Sequence, residues 1–239
     1  VRDLILDRTP KDWDITTNAI PQEIIDLFAH TVYENTFGTV GVVCDECETK
    51  EGEAKPIVEI TPYRTESTYS DKRHPDTVSF SKDIQDDLKR RDFTINALAL
   101  NINTLEIKDF YKGQIDLKDK VLRTVGNPDE RFSEDALRML RAIRFSAELG
   151  FSVSYETLES ISKNHNLIVD ISWERKRDEF IKMINSPDPV LAMALLEQTG
   201  LLQHLIPELR EGIDCDQKGA HLYDVFTHML HALNHAKEK

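Results

Sequence analysis

Over the first hundred residues the spacing of apolar positions changes repeatedly, which predicts a mixture of strands and helices. Pro21 to Ala29 (PQEIIDLFA) carries apolar residues at helical spacing behind a proline suited to a first turn, and reads as a short helix. Thr39-Val-Gly-Val-Val-Cys44 and Pro56-Ile-Val-Glu-Ile-Thr61 read as the two β-branched strands of a hairpin joined by an acidic segment. Residues 64–77 are polar with no clear period and read as a long loop of the functional kind. A second helix is predicted from Asp83 to Arg90, and apolar packing resumes from Phe93 to Leu100.

From about residue 127 the period is helical. Asn127-Pro128-Asp-Glu130 offers a cap, a first-turn proline and early acids for a helix whose apolar stripe, Leu137, Leu140, Ile143 and Leu149, runs up to Gly150. Further helices are predicted over 155–164, 172–184, 189–198 and 222–237, with Asp188-Pro189 a start signal and Gly200 a stop. The chain therefore reads as α+β, a mixed head followed by an all-helical body, without repeats or low-complexity tracts.

With 40% hydrophobic and 31% charged residues in 239, the composition is that of a globular chain of more than one domain, and no apolar run approaches the ~18 residues of a membrane span. A membrane role is not expected. The net charge of −13 excludes nucleic-acid binding through overall electropositivity, so an RNA partner would have to meet a local basic stripe. Arg131, Arg138, Arg141 and Arg144 supply one, with Arg175, Lys176, Arg177 and Lys182 further on. Three cysteines do not form a disulfide framework, which fits a reducing, cytoplasmic location. Cys44 and Cys47 form a C-x-x-C too poor in nearby partners for structural zinc.

The candidate chemistry begins in Arg8 to Thr17, where Asp12 and Asp14 stand two apart in a segment read as a strand. Side chains at i and i+2 share a face, so the two carboxylates could hold a pair of Mg²⁺ ions while Trp13 points the other way into a core. Glu59 leaves its strand opposite Val58 and Ile60 and is a candidate third carboxylate, although an exposed strand glutamate is an equal reading. Asp135, Arg138, Arg141 and Arg144 recur every three residues and would line one sector of a helix. The plain explanation is a solvated face with an i,i+3 ion pair. The alternative is chemical: an aspartate accepts and an arginine donates, which matches the amino group and ring nitrogen shared by the pairing edges of cytosine and adenine. Guanine and uracil present like partners there and would be rejected. Arg2, Arg91 and the Arg141/Arg144 pair are then candidates to neutralise a triphosphate.

Several of these segments resemble the motifs of class II tRNA nucleotidyltransferases, the CCA-adding enzymes and their bacterial poly(A) polymerase relatives. Val1 to Thr16 resembles the first motif, Arg90-Arg-Asp-Phe-Thr-Ile-Asn-Ala97 the second and Asp109 to Arg123 the hinge motif. Arg131-Phe-Ser-Glu-Asp-Ala-Leu-Arg138 is similar to the amino-acid template and Ser172-Trp-Glu-Arg175 to the last motif. The resemblance implies a DNA polymerase β-like head over residues 1–125, a helical neck over 126–185, the start of a body over 186–214, and over 215–239 the opening of an HD-like helical domain. It implies metal binding by Asp12 and Asp14, nucleotide contacts from Arg2, Arg91 and Asp92, base reading by Asp135 with Arg138, and phosphate holding by Arg141 and Arg144.

The implied reaction is template-independent addition of C and A from CTP and ATP to the 3′ end of tRNA, with Mg²⁺. The family's pattern has two glycines just before Val-Arg-Asp, outside this chain. Asn35 to Val40 resembles the CCA-adding version of its strand entrance, and retention of the 64–77 loop leans the same way. Poly(A) or A-only addition is the alternative within the class. An RNA-binding module of an HD-type phosphohydrolase is the alternative outside it, because His221-Leu-Tyr-Asp-Val-Phe-Thr-His228 resembles the opening of such a domain. That domain's His-Asp doublet would come later, so no complete metal site is expected there.

Overall fold

The computed structural model describes residues 1–10, 13–33, 38–45, 47, 55–66, 77–217 and 222–237. They divide into two compact units, one holding the chain up to Arg91 together with Asn96–Phe110, the other Asp92–Ile95 and the chain from Tyr111 onward.

The first unit opens with α1 (Arg2–Ile5), β1 (Ile15–Thr17), α2 (Pro21–Leu27), β2 (Thr31–Tyr33), β3 (Val40–Val43) and β4 (Ile57–Pro62). Its four-stranded sheet has the order β1-β4-β3-β2, with β1 parallel to β4 and the other pairs antiparallel. Pro21 starts α2, and Glu23 reaches back to accept from the Ile20 N–H at 2.9 Å, which satisfies one of the free donors at a helix start. Ile24 of α2 then packs on Val40, Val42 and Ile60 of the sheet. Period-2 alternation puts those three apolar side chains on one face and leaves Gly41 and Glu59, which are paired in register, on the other.

β5 (Arg64–Glu66) pairs antiparallel with β6 (Val78–Phe80), and α3 (Ile84–Lys89) follows with Asp83 accepting from the Gln85 N–H. A 3-10 turn at Thr94–Asn96, β7 (Leu98–Leu100) and β8 (Ile107–Asp109) complete this half of the chain.

In the second unit come α4 (Gly113–Asp119), β9 (Val121–Leu122), α5 (Pro128–Glu134), α6 (Leu137–Leu149), β10 (Ser152–Val153) and α7 (Tyr155–Asn164). They are followed by α8 (Trp173–Ile184), α9 (Pro189–Gln198), α10 (Leu202–Leu205), α11 (Pro207–Arg210) and α12 (Val225–Lys237). The caps are local and explicit: Asn127, Ser154 and Asp188 each accept a backbone N–H inside the first turn they precede, and Gly150 ends α6 at φ 68°. α6 is the hub, packed against α8 and α9. Its Met139, Leu140 and Ile143 are fully buried, as are Met183 of α8 and Leu196 of α9, each removal from water being worth about 1.5–3 kcal/mol. Asp129 ties α5 to α7 by accepting from Ser160, Lys163 and Asn164, and these donors, Lys163 first, pull its carboxyl down to about 2.

The α+β class and most helices agree with the sequence expectations, and five local readings are corrected. The strand at the first motif begins only at Ile15, so Asp14 precedes it, and Asp12 lies outside the described residues. Trp13 is not a core residue: it is 64% exposed. The polar 64–77 segment is not all loop, since its start pairs with Val78–Phe80; residues 67–76 lie outside the described residues. The helix expected from 127 to 150 is two helices, broken where Asp135 takes an extended backbone (φ −147°, ψ 104°). Cys44 and Cys47 are joined by a disulfide, against the expectation of no disulfide framework, and Cys215 is the free cysteine.

Candidate functional site

In the first unit Asp14, of the proposed metal pair, immediately precedes β1, and Glu59, the candidate third carboxylate, lies on the neighbouring β4. Ile15 is in register with Ile60, and Asp14 and Glu59, the residues just before each, are both exposed. Both are hard oxygen donors, the set that suits Mg²⁺. Among the described residues there is no group of three His, Cys, Asp or Glu side chains that could hold a metal, and Asp12 lies outside them.

The arginines of this unit are organised by two residues. Asp87 is fully buried and takes Arg90 at 2.6 Å and Arg91 at 3.3 Å, both from one helical turn away. Asn96 gathers the two candidate nucleotide contacts: its side-chain oxygen accepts from Arg2 Nη1 at 2.8 Å and its backbone carbonyl from Arg91 Nη1 at 3.3 Å. Arg2 is also held by its neighbour Asp3 at 2.9 Å. The Nε of Arg91 is buried without a partner among the described residues, a donor with its bond still to make.

In the second unit Asp92 is 8% exposed, and its two oxygens are both engaged. Oδ1 accepts from the Phe93 N–H at 2.8 Å, and Oδ2 takes Arg141 Nε and Nη2 at 2.8 and 2.6 Å. Asp92 therefore fixes Arg141. The break between α5 and α6 shapes the rest. Asp135 is outside both helices, so the i,i+3 pair with Arg138 does not form; instead its Oδ1 accepts from the Leu137 N–H at 3.0 Å. Arg175 of α8 grips the same carboxylate with both terminal nitrogens, at 2.7 and 3.3 Å.

Arg138 turns to Glu134 at 2.5 Å and to the Arg131 carbonyl at 3.2 Å, and Arg131 shares Glu134. Asp135 and Arg138 thus flank the start of α6, the first held by Arg175 of α8 and the second by Glu134 of α5. Arg144 differs from the other members of the row. It is buried, pairs with Glu179 at 2.6 Å and Glu148 at 3.0 Å, and lies over the Phe145 ring.

Three residues that order this arrangement escaped the sequence reading as site members: Asn96, Arg175 and Glu179. Asn96 carried a usable signal, a lone amide in the apolar run from Phe93 to Leu100. Arg175 carried none beyond its motif and Glu179 carried none, since their partners lie 40 and 35 positions away.

A mixed sheet with flanking helices, continued by helical regions, is the architecture of nucleotidyltransferases with a DNA polymerase β-like head. Residues 1–123 match the family described as the poly A polymerase head domain, and residues 150–213 match a second described as the probable RNA- and SrmB-binding site of polymerase A. The chain belongs to the poly A polymerase head-domain family.

Among its relatives, the CCA-adding enzyme of Lactobacillus helveticus (strain DPC 4571) is 46% identical over 202 residues, 84% of this chain and 48% of that protein. The crystal structure of the Bacillus stearothermophilus CCA-adding enzyme in complex with CTP is similar with a TM-score of 0.72 and 37% identity, over 84% of this chain and 46% of that one. A tRNA nucleotidyltransferase complexed with a primer tRNA and an incoming ATP analog gives a TM-score of 0.68 at 25% identity, over 89% of this chain and 63% of that one. The chain spans about half the length of the curated relatives it matches. No helix among the described residues is long and apolar enough to cross a membrane.

Proposed function

We propose that this protein is a template-independent RNA nucleotidyltransferase that adds C and A from CTP and ATP to the 3′ end of tRNA, completing CCA. The observation that carries the reading is that Asp135 and Arg138, three residues apart at the helix break, are each held in place, by Arg175 and by Glu134. Locked side chains keep one donor–acceptor pattern and so can choose among bases with no template strand. Relatives whose names specify CCA addition, CTP and tRNA support the same choice.

In the reaction the 3′-hydroxyl oxygen of the RNA attacks the α-phosphorus of the nucleotide in line; the new P–O bond forms as the bond to pyrophosphate breaks. Asp12 and Asp14, with Glu59 as a candidate third carboxylate, are the residues that would hold Mg²⁺, which when bound supplies activation of the hydroxyl and neutralisation of the leaving group. Arg2, Arg91 and Arg141 bind the nucleotide's charge, aimed by Asn96 and Asp92. Arg144 belongs to the same row, and its buried pairing with Glu179 assigns it to holding α6 on α8 rather than to touching phosphate.

In this reading residues 1–125 are the transferring head, 126–185 the neck, 186–214 the start of the body and 215–239 the opening of an HD-like helical domain. The protein works where tRNA matures, in the cytoplasm. The test is incubation with tRNA lacking its terminal CCA and each nucleoside triphosphate in turn, with Mg²⁺. C and then A are expected to be incorporated, G and U are not, and Asp14→Ala is expected to abolish transfer. Long adenine tails would instead indicate a poly(A) polymerase. Phosphodiester hydrolysis retained in Asp14→Ala without transfer would indicate an HD-type phosphohydrolase.

A further inference from the structure

The cations of α8 are not equivalent. Arg175 is spent on Asp135, Arg177 pairs with Asp178 at 3.1 Å, and Lys182 pairs with Glu179 at 3.2 Å. Lys176 stands apart. Its residue is 9% exposed, and among the described residues its ammonium has no carboxylate and no hydrogen-bond acceptor. A buried charge is ordinarily paired, so an unpaired one needs an explanation. Its Nζ is not among the buried orphan atoms, which means that the stem is packed inside while the head reaches the surface.

What lies next to that head is aromatic. Trp173, three residues earlier and so on the same face of α8, presents its ring 5.8 Å from Nζ and is itself 53% exposed. Glu179, three residues further along α8, is taken up by Arg144 and Lys182. His204 of α10 shares a hydrogen bond of 2.9 Å with His165, and Gln203 lies against both rings. Burial first, then His165 and last Lys176 hold the His204 imidazole below its ordinary range, which places His204 within the field of the Lys176 charge. In a chain of net charge −13 this is a place where positive charge is left over beside an exposed ring.

An exposed indole beside an uncompensated ammonium is the combination that holds single-stranded nucleic acid: the ring takes a base or ribose face and the cation the adjoining phosphate. A protein carboxylate would satisfy the lysine equally but would leave the indole unused. The patch also falls inside the segment, 150–213, that matches the RNA-binding family. We propose that Trp173 and Lys176 form a contact for the backbone of the RNA substrate, the indole stacking on a base or ribose and the ammonium meeting the next phosphate. The proposal rests on the RNA-transferring reading and adds residues to it.

Lys176→Met keeps the packed stem and removes the charge. Binding of tRNA lacking its terminal CCA, measured by fluorescence anisotropy between 50 and 200 mM KCl, is expected to weaken about fivefold to tenfold at the low-salt end, and the slope of log K against log salt to fall in magnitude by about one. Lys176→Arg should restore both, and the dissociation constant for CTP without RNA should not move. Trp173 gives an independent signal, because the chain holds two tryptophans and Trp13→Phe leaves Trp173 as the only one. In that background tRNA is expected to quench its emission. An unaltered slope in Lys176→Met, or no quenching in Trp13→Phe, overturns the proposal while leaving the transferase reading intact. So does saturable binding of inorganic phosphate that Lys176→Met abolishes while RNA affinity is retained. CTP binding without any tRNA binding by the parent protein overturns the choice of RNA as acceptor, and the contact with it.

Discussion

Glu179 illustrates how single side chains set the energetics here. Its buried carboxylate meets Arg144 and Lys182, and Arg144 in turn meets Glu148. Removing one partner of such a group strands the opposite charge in a medium that solvates it poorly. Glu179→Gln is therefore expected to lose about 3 kcal/mol in urea denaturation, whereas Arg177→Gln, in an exposed pair, should change stability by less than about 0.5 kcal/mol. His204 gives a second residue-scale prediction. Its folded pKa is lowered, first by burial and then by His165 and Lys176, so the unfolded chain binds more protons as pH falls. That contribution is present above the ordinary histidine value of about 6.5 and is lost as pH drops toward the lowered one. The midpoint of thermal unfolding should accordingly fall less between pH 7.5 and 5.5 in His204→Gln than in the parent.

At the scale of elements the informative feature is the joint between α5 and α6. Asp135 cannot be the first member of a helical row, because its extended backbone ends α5 and its side chain caps the Leu137 N–H. It is held there from another element, by Arg175 of α8. Arg175→Met should leave most of the stability in place but free the Asp135 carboxylate to rotate. Misincorporation of G and U relative to C and A is then expected to rise at least tenfold, with a smaller change in the Michaelis constant for CTP. A variant that incorporates only C and A as faithfully as the parent would contradict this role for Arg175.

The same joint separates what was readable in the sequence from what was not. Helix α9 was readable to the residue because its signals, Asp188, Pro189 and Gly200, act within a turn of where they stand. The hairpin of β3 and β4 was readable from its two β-branched runs and the acidic segment between them. The break at Asp135 was not, since the partner that favours it is 40 residues on, and neither was the exposure of Trp13, which depends on whether a layer exists to cover it. For the site, the motifs gave the residue types and the geometry supplied their partners: Arg141 with Asp92, Arg2 and Arg91 with Asn96, Asp135 with Arg175.

For the whole molecule, the basic stripe seen in the sequence is largely cancelled. Arg131, Arg138, Arg141, Arg144, Arg175, Arg177 and Lys182 each have a carboxylate partner within the chain. A surface so balanced, with net charge −13, releases few counterions when it meets a polyanion. The expected slope of log K against log salt for tRNA is therefore shallow, with a magnitude of about 2 to 4 rather than the 6 to 10 of a strongly basic binder. A titration of affinity against KCl checks it, and a slope steeper than about 6 would mean that the internal pairs open on binding.

The interruption at Asp135 also isolates the azimuth of α6 from the length of what precedes it. Within one unbroken spiral, a residue gained or lost near Pro128 would swing Arg138 and Arg141 around the axis by about 100°. Across a joint with extended backbone that rotation dissipates before Leu137, so insertions upstream can accumulate without re-aiming the guanidinium groups beyond it.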